Sequence, residues 1–185
     1  PAGGSSHTTE SIVGVSMPIV PPFGSIFQAW ASPEQINAWY QSSPVPIDDG
    51  RRSRLDEDLE ALRDAGWLIG FSDAWLGEAD GTLDEMATLG QTPKLDRRVT
   101  ELAARMDRHA RVSDIVDDAS AARVGALFAP VFDESGTVVL SLMVGDIPTN
   151  AGRAFILDAK DRLLEAAARI THALGGKPPE GWGKQ

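Results

Sequence analysis

The chain has 185 residues, 42% apolar and 24% charged, with 27 acidic against 17 basic side chains and a net charge of −10 at neutral pH. That suffices for one domain with a substantial core, while the acidic balance repels phosphate backbones and argues against nucleic-acid binding by this chain itself. Cysteine is absent, which removes disulfides and thiol chemistry; no apolar run reaches membrane-spanning length and no secretory signal opens the chain, so a cytoplasmic protein is expected.

Residues 1–10 read as a loose polar lead-in, and Ile12 to Met17 as a buried strand stopped by Pro18 and Pro21-Pro22. Ile26, Phe27 and Trp30 would share one side of a short helix after Gly24. Ser32-Pro33-Glu34-Gln35 forms a capping box that starts a helix carrying Ile36, Trp39 and Tyr40. Residues 41–52 read as a connector. A further helix, from Ser53, places Leu55, Leu59 and Leu62 on one face and ends at Gly66, with a strand over 67–71.

An acidic loop follows at 73–85. Thr92-Pro93 opens a helix that turns Leu95, Val99, Leu102 and Met106 to a core. From Val124 to Gly145, two β-branched runs flank Asp133-Glu-Ser-Gly136, a β-hairpin. A long helix from Asn150 to Leu174 carries Phe155, Leu163, Ala167, Ile170 and Leu174 inward and stops at Gly175-Gly176. Residues 177–185 read as a flexible tail. The expected class is α+β, one mixed or antiparallel sheet with helices packed on it, over a single domain at 11–176.

Chemistry-bearing patterns are sparse. Gly14-Val15-Ser16-Met17-Pro18 approximates a nucleophile elbow with His172 downstream, but the prolines block the helix an elbow requires. His7, His109 and His172 share no ligand spacing, so no metal is expected. In Glu78 to Glu85 the calcium-loop pattern fails, because setting Gly81 at the turn puts Leu76 and Ala87 at ligand positions. No cofactor fingerprint is present. Trp30, Trp39 and Trp67 read first as core, and Trp75 and Trp182 as more exposed aromatics.

Four segments resemble the effector domain of IclR-type transcription regulators: Met17-Pro18 through Trp30, Leu59 through Trp67, Ala129 through Val139, and Leu163 through Ile170. The resemblance covers residues 12–72 and 120–176, with 73–119 as an insertion-like helical segment. It implies a GAF-like sensor domain of a bacterial one-component regulator, non-catalytic and homo-oligomeric. DNA contact would come through a separate winged-helix domain that this chain does not include. By position, the family's effector contacts fall on Pro22 and Phe23 at the turn and on Ala126, Met143 and Gly145 of the hairpin. A family-like pocket would therefore be apolar, lined also by Phe27 and Phe128, and would take a mostly apolar or aromatic small molecule. The alternatives are a dimerisation module with a vestigial pocket and a small hydrolase using Ser16.

Overall fold

A computed structural model describes residues 16–71, 92–104 and 117–182, together with positions 81, 82, 85, 86, 88 and 90. In chain order the elements are α1 (Ser25–Gln28), α2 (Pro33–Gln41), α3 (Asp49–Ala65), β1 (Leu68–Phe71), α4 (Pro93–Ala104), α5 (Asp118–Ala121), β2 (Val124–Phe132), β3 (Val138–Val144) and α6 (Arg153–Ala173). The class is mixed α+β. Among the described residues the strands form one antiparallel sheet in the order β1-β2-β3.

Strand alternation gives the sheet two packed faces. Ile69, Leu127, Ala129 and Val131 meet Ile156, Leu163, Leu164 and Ala167 of α6. Their neighbours Leu68 and Phe128 join the opposite cluster, built on Ile26, Trp39, Leu55, Leu59 and Leu62 of the first three helices. Leu55 and Leu59 are almost wholly buried, each contributing about 1.5–3 kcal/mol by leaving water. Pro130 lies beyond the last β1–β2 pair, Leu68 with Phe128. There β2 has one ladder partner, which is where a strand tolerates a missing N–H.

Local signals act as read. Ser32 and Gln35 close the capping box, Gly66 ends α3 in the left-handed conformation at φ 75°, and α4 buries Leu95, Val99 and Leu102. At the hairpin, the Asp133 carboxylate accepts from the Ser135 and Thr137 amides at 2.9 and 3.0 Å, and Gly136 adopts φ 80°.

Elsewhere the structure departs from expectation. The third helix starts at Asp49 rather than Ser53, because Asp48 caps it by accepting from the Arg51 amide at 2.7 Å. Ser16 and Met17 are not in a strand, and Met17 packs on Met86, Leu95 and Val99. Ile12 to Val15, Met106 and most of the 73–85 loop lie outside the described residues.

The last helix begins at Arg153 rather than Asn150. Its cap position, Gly152, has no side chain to offer, and Asp118 Oδ1 accepts from the Arg153 amide at 2.7 Å instead. Its buried stripe is also rotated: Ile156 and Leu164 are inside, while Phe155 and Leu174 are 49% and 51% exposed. The tail is a correction as well. The Lys177 amide donates to the Asp133 carbonyl at 2.9 Å, and Trp182 packs on the main core with Nε1 donating to the Gly66 carbonyl at 3.1 Å. Residues 183–185 lie outside the description.

Candidate functional site

The turn before α1 is built by sequence. Pro21 and Pro22 are fully buried, and Gly24 turns the chain at φ 87°. A Cβ there would lie 2.5 Å from Ile19 Cγ2, so glycine is required twice over, by conformation and by space. The turn releases α1, which ends at Gln28, so Trp30 falls in the turn after it rather than on the helix with Ile26 and Phe27 as expected, and Ser32 then caps α2. On α2 the residues Gln35, Ala38, Trp39 and Ser42 follow the i, i+3, i+4, i+7 rhythm of a single face.

These two helices and Ile19 form one wall of an open cleft of about 510 Å3, with Thr137 and Val138 at the start of β3 across from them. Small-molecule sites commonly span roughly 300–1,000 Å3. Phe27, Trp30 and Trp39 supply aromatic surface. The polar lining consists of Gln28, Gln35, Ser42 and Thr137, and no lining side chain is ionisable.

Two of those polar groups are satisfied within the protein. Ser42 Oγ donates to the Trp39 carbonyl at 2.7 Å, and Thr137 Oγ1 shares a 2.9 Å bond with Ser135. Trp39 Nε1 donates to the Phe23 carbonyl at 3.3 Å, tying α2 to the turn. Gln35 Oε1 accepts from the Ser32 amide at 2.9 Å as part of the cap. Gln35 is exposed, and Gln28 and Trp30 are half-buried.

The cleft is braced from behind by an aromatic relay. Trp30 stands edge-on to Phe132 with ring centroids 5.2 Å apart, and Phe132 stands edge-on to Trp182 at 5.4 Å. Phe132 is fully buried at an irregularity in the β2–β3 register. Its amide donates instead to Thr171 Oγ1 on α6 at 3.2 Å.

On the outer side of α2, Tyr40 donates to Asp56 Oδ1 at 2.6 Å, with the Arg52 guanidinium 4.9 Å above its ring. Burial, then the Asp56 bond, raises the phenol above its ordinary range, so it stays protonated and fastens α2 to α3.

Of the residues the resemblance singled out, Phe27 lines this cleft. Pro22 is sealed in the turn, and Phe23 is half-buried with its carbonyl taken by Trp39. Phe128 packs against the helical cluster and sits directly opposite Met143 across the ladder. Ala126 pairs with Gly70, and Gly145 lies just past β3. Sequence reasoning passed over Gln28, Gln35, Thr137 and Val138. It also passed over the hydroxyls of Ser25 and Ser141, both buried without a hydrogen-bond partner. The α2 rhythm could have signalled Gln35; nothing local signals which strand end stands opposite.

The other sites considered have less behind them. Ser16 is exposed and followed by extended chain rather than a helix. His172 is exposed on α6, while His7 and His109 lie outside the described residues. Among the described residues no cluster of His, Asp and Glu could hold a metal ion, and no helix is long and apolar enough to cross a membrane. A second groove of about 490 Å3 runs between α6 and the tail, but its carboxylates Asp161 and Glu165 already pair with Lys160 and Arg169 at 2.6 and 2.8 Å.

No protein-family model, curated protein or solved structure matches the chain.

Proposed function

We propose that this chain is the ligand-sensing domain of an IclR-like bacterial transcription regulator, with a GAF-like arrangement of sheet and helices. It recognises a small, mostly apolar or aromatic organic effector without transforming it. The observation that carries the reading is the cleft itself. Two segments that resemble the family, the turn through Trp30 and the β-hairpin, supply its opposing walls, and its lining is aromatic and uncharged.

The mechanism is differential affinity. An effector that binds one subunit arrangement better shifts the population, typically by about 1–3 kcal/mol, and a separate winged-helix domain reads the change out on DNA. Cytoplasmic location belongs to the same reading.

The test uses the two tryptophans of the cleft. Aromatic and aliphatic compounds should perturb tryptophan fluorescence and raise the melting temperature, with stabilisation of about 2.7 kcal/mol at one hundred times the dissociation constant. Stabilisation by pyruvate-like keto acids alone, or by nothing in the panel, would end the proposal.

One observation favours a second reading, a self-association module. Strand β3 closes one side of the described sheet and exposes Val139, Leu140 and Met143 at 42%, 52% and 36%. Unpaired apolar strand edges invite a further strand. Sedimentation of wild type and Leu140→Lys tests it: a dimer lost in the variant supports the module, and a monomeric wild type removes it.

A further inference from the structure

We infer that β3 pairs antiparallel with β3 of a second copy about a two-fold axis at Leu142, setting Ser141 of each chain against Met143 of the other and joining the two sheets. This rests on the self-association reading above and fixes its geometry.

The hydrogen bonds of β2 show which groups of β3 stand at the edge. The Gly125 carbonyl accepts from the Ile147 amide at 3.5 Å and the Asp133 amide donates to the Thr137 carbonyl at 2.9 Å, so odd-numbered residues of β2 turn their peptide groups towards β3. Even-numbered ones turn away. The Phe132 amide goes to Thr171, and Pro130, which has no N–H, lies opposite Ser141. Partners in an antiparallel ladder alternate in step. Leu140, Leu142 and Val144 therefore bond to β2, while the amides and carbonyls of Ser141 and Met143 point to the open edge. Among the described residues no further strand stands there.

A bulge sets the register. Val138 to Leu140 stand opposite only Phe132 and Val131, so the regular edge begins at Leu140 and runs to Val144, with Leu142 at its centre. An axis at Leu142 makes Ser141 and Met143 hydrogen-bonded partners twice over and keeps every side chain on its own face. Centring on Ser141 would set Met143 against Val139, inside the bulge.

Charge favours a second copy meeting at this strand. The chain carries −10, so two copies repel wherever acidic surfaces face each other, but β3, Val-Val-Leu-Ser-Leu-Met-Val, is uncharged throughout. It carries neither the lysine nor the proline that blunts many edge strands. In the proposed register Leu140, 52% exposed, covers the half-buried Val144 of the second copy on the face that packs on α6. One strand edge falls short of the about 800 Å2 per partner of a standard interface, so the pair should dissociate on dilution.

The chain has no cysteine, so introduced ones report the register under mild oxidation of the full chain. Leu142→Cys should link to itself, because the axis brings its two Cα atoms to about 4.5 Å, inside the disulfide range. Leu140→Cys alone should not, since the two copies of that position lie about 13 Å apart along the strands. An equimolar mixture of Leu140→Cys and Val144→Cys should link as the mixed dimer, up to about half of the chains. Because Leu142 packs on the core, the mixture decides where that variant fails to fold. A dimeric wild type whose Leu140→Cys variant links to itself, or whose mixture stays unlinked, would overturn the register and leave self-association standing. A wild type monomeric at about 500 μM, far above the range of specific pairing, with no linkage in any variant, would overturn both.

Discussion

Thr171→Val isolates one hydrogen bond with almost no change of shape. Thr171 is 1% exposed, and its Oγ1 is the acceptor for the Phe132 amide at 3.2 Å, beside a register shift in the β2–β3 ladder. Valine fills the same volume, so no cavity opens, but a buried N–H is left without an acceptor. That penalty is about 1–3 kcal/mol, and the length of the bond favours the lower half of the range. For a chain of this size each kcal/mol lowers the melting temperature by about 2–4 °C.

Urea unfolding would measure the loss, and amide hydrogen exchange would locate it. Protection at Phe132 should drop in Thr171→Val and persist in Thr171→Ser, which keeps the oxygen and gives up one methyl. Because Phe132 is the middle ring between Trp30 and Trp182, the fluorescence of the cleft should respond as well. A valine variant within about 0.5 kcal/mol of wild type, the ordinary scatter of neutral surface changes, and with Phe132 still protected would refute the reasoning.

Gly176→Ala should unfold the tail junction and cost more than about 3 kcal/mol in urea titration, because the new Cβ would be driven into the Phe132 carbonyl and to within 2.8 Å of the Thr171 carbonyl. Asp118→Ala should cost about 1 kcal/mol, as the loss of a helix cap does, and should fray the first turn of α6 by exchange, since Asp118 takes the Arg153 amide. The hairpin should weaken in acid. The Ser135 hydroxyl, then the Thr137 amide, hold the Asp133 carboxyl below its ordinary value of 3.8, so its contribution is complete above that pH and is lost as pH falls through the lower folded value. Asp133→Asn should flatten the pH dependence of urea midpoints in that acidic window; an unchanged slope would assign it to other carboxylates.

The separation between what was and was not legible runs along particular bonds. Ser32 and Gln35 are three residues apart, Asp133 and Thr137 four, and Leu62 and Gly66 four. The first and last were readable, as was the turn that holds the Asp133 bond, because covalent connection already brings the partners together. The bonds that surprised are Arg153 to Asp118, Phe132 to Thr171 and Trp182 to Gly66, separated by 35, 39 and 116 positions. They moved a helix start from Asn150 to Arg153 and turned an expected loose tail into a packed one.

The cleft divides in the same way. Residue order by itself determined the face of α2 that carries Trp39, the glycine at the turn, the hairpin and the α+β class, because each follows from steric and hydrogen-bonding preferences acting within a few residues. Tertiary structure alone decided that Thr137 and Val138 stand opposite that face, that Phe132 props Trp30, and that Trp182 closes the stack behind it. Those placements depend on how two-sided burial of the sheet orients helices far apart in the chain. Such burial rewards apolar area of any origin, so local pattern names the surfaces without naming their partners.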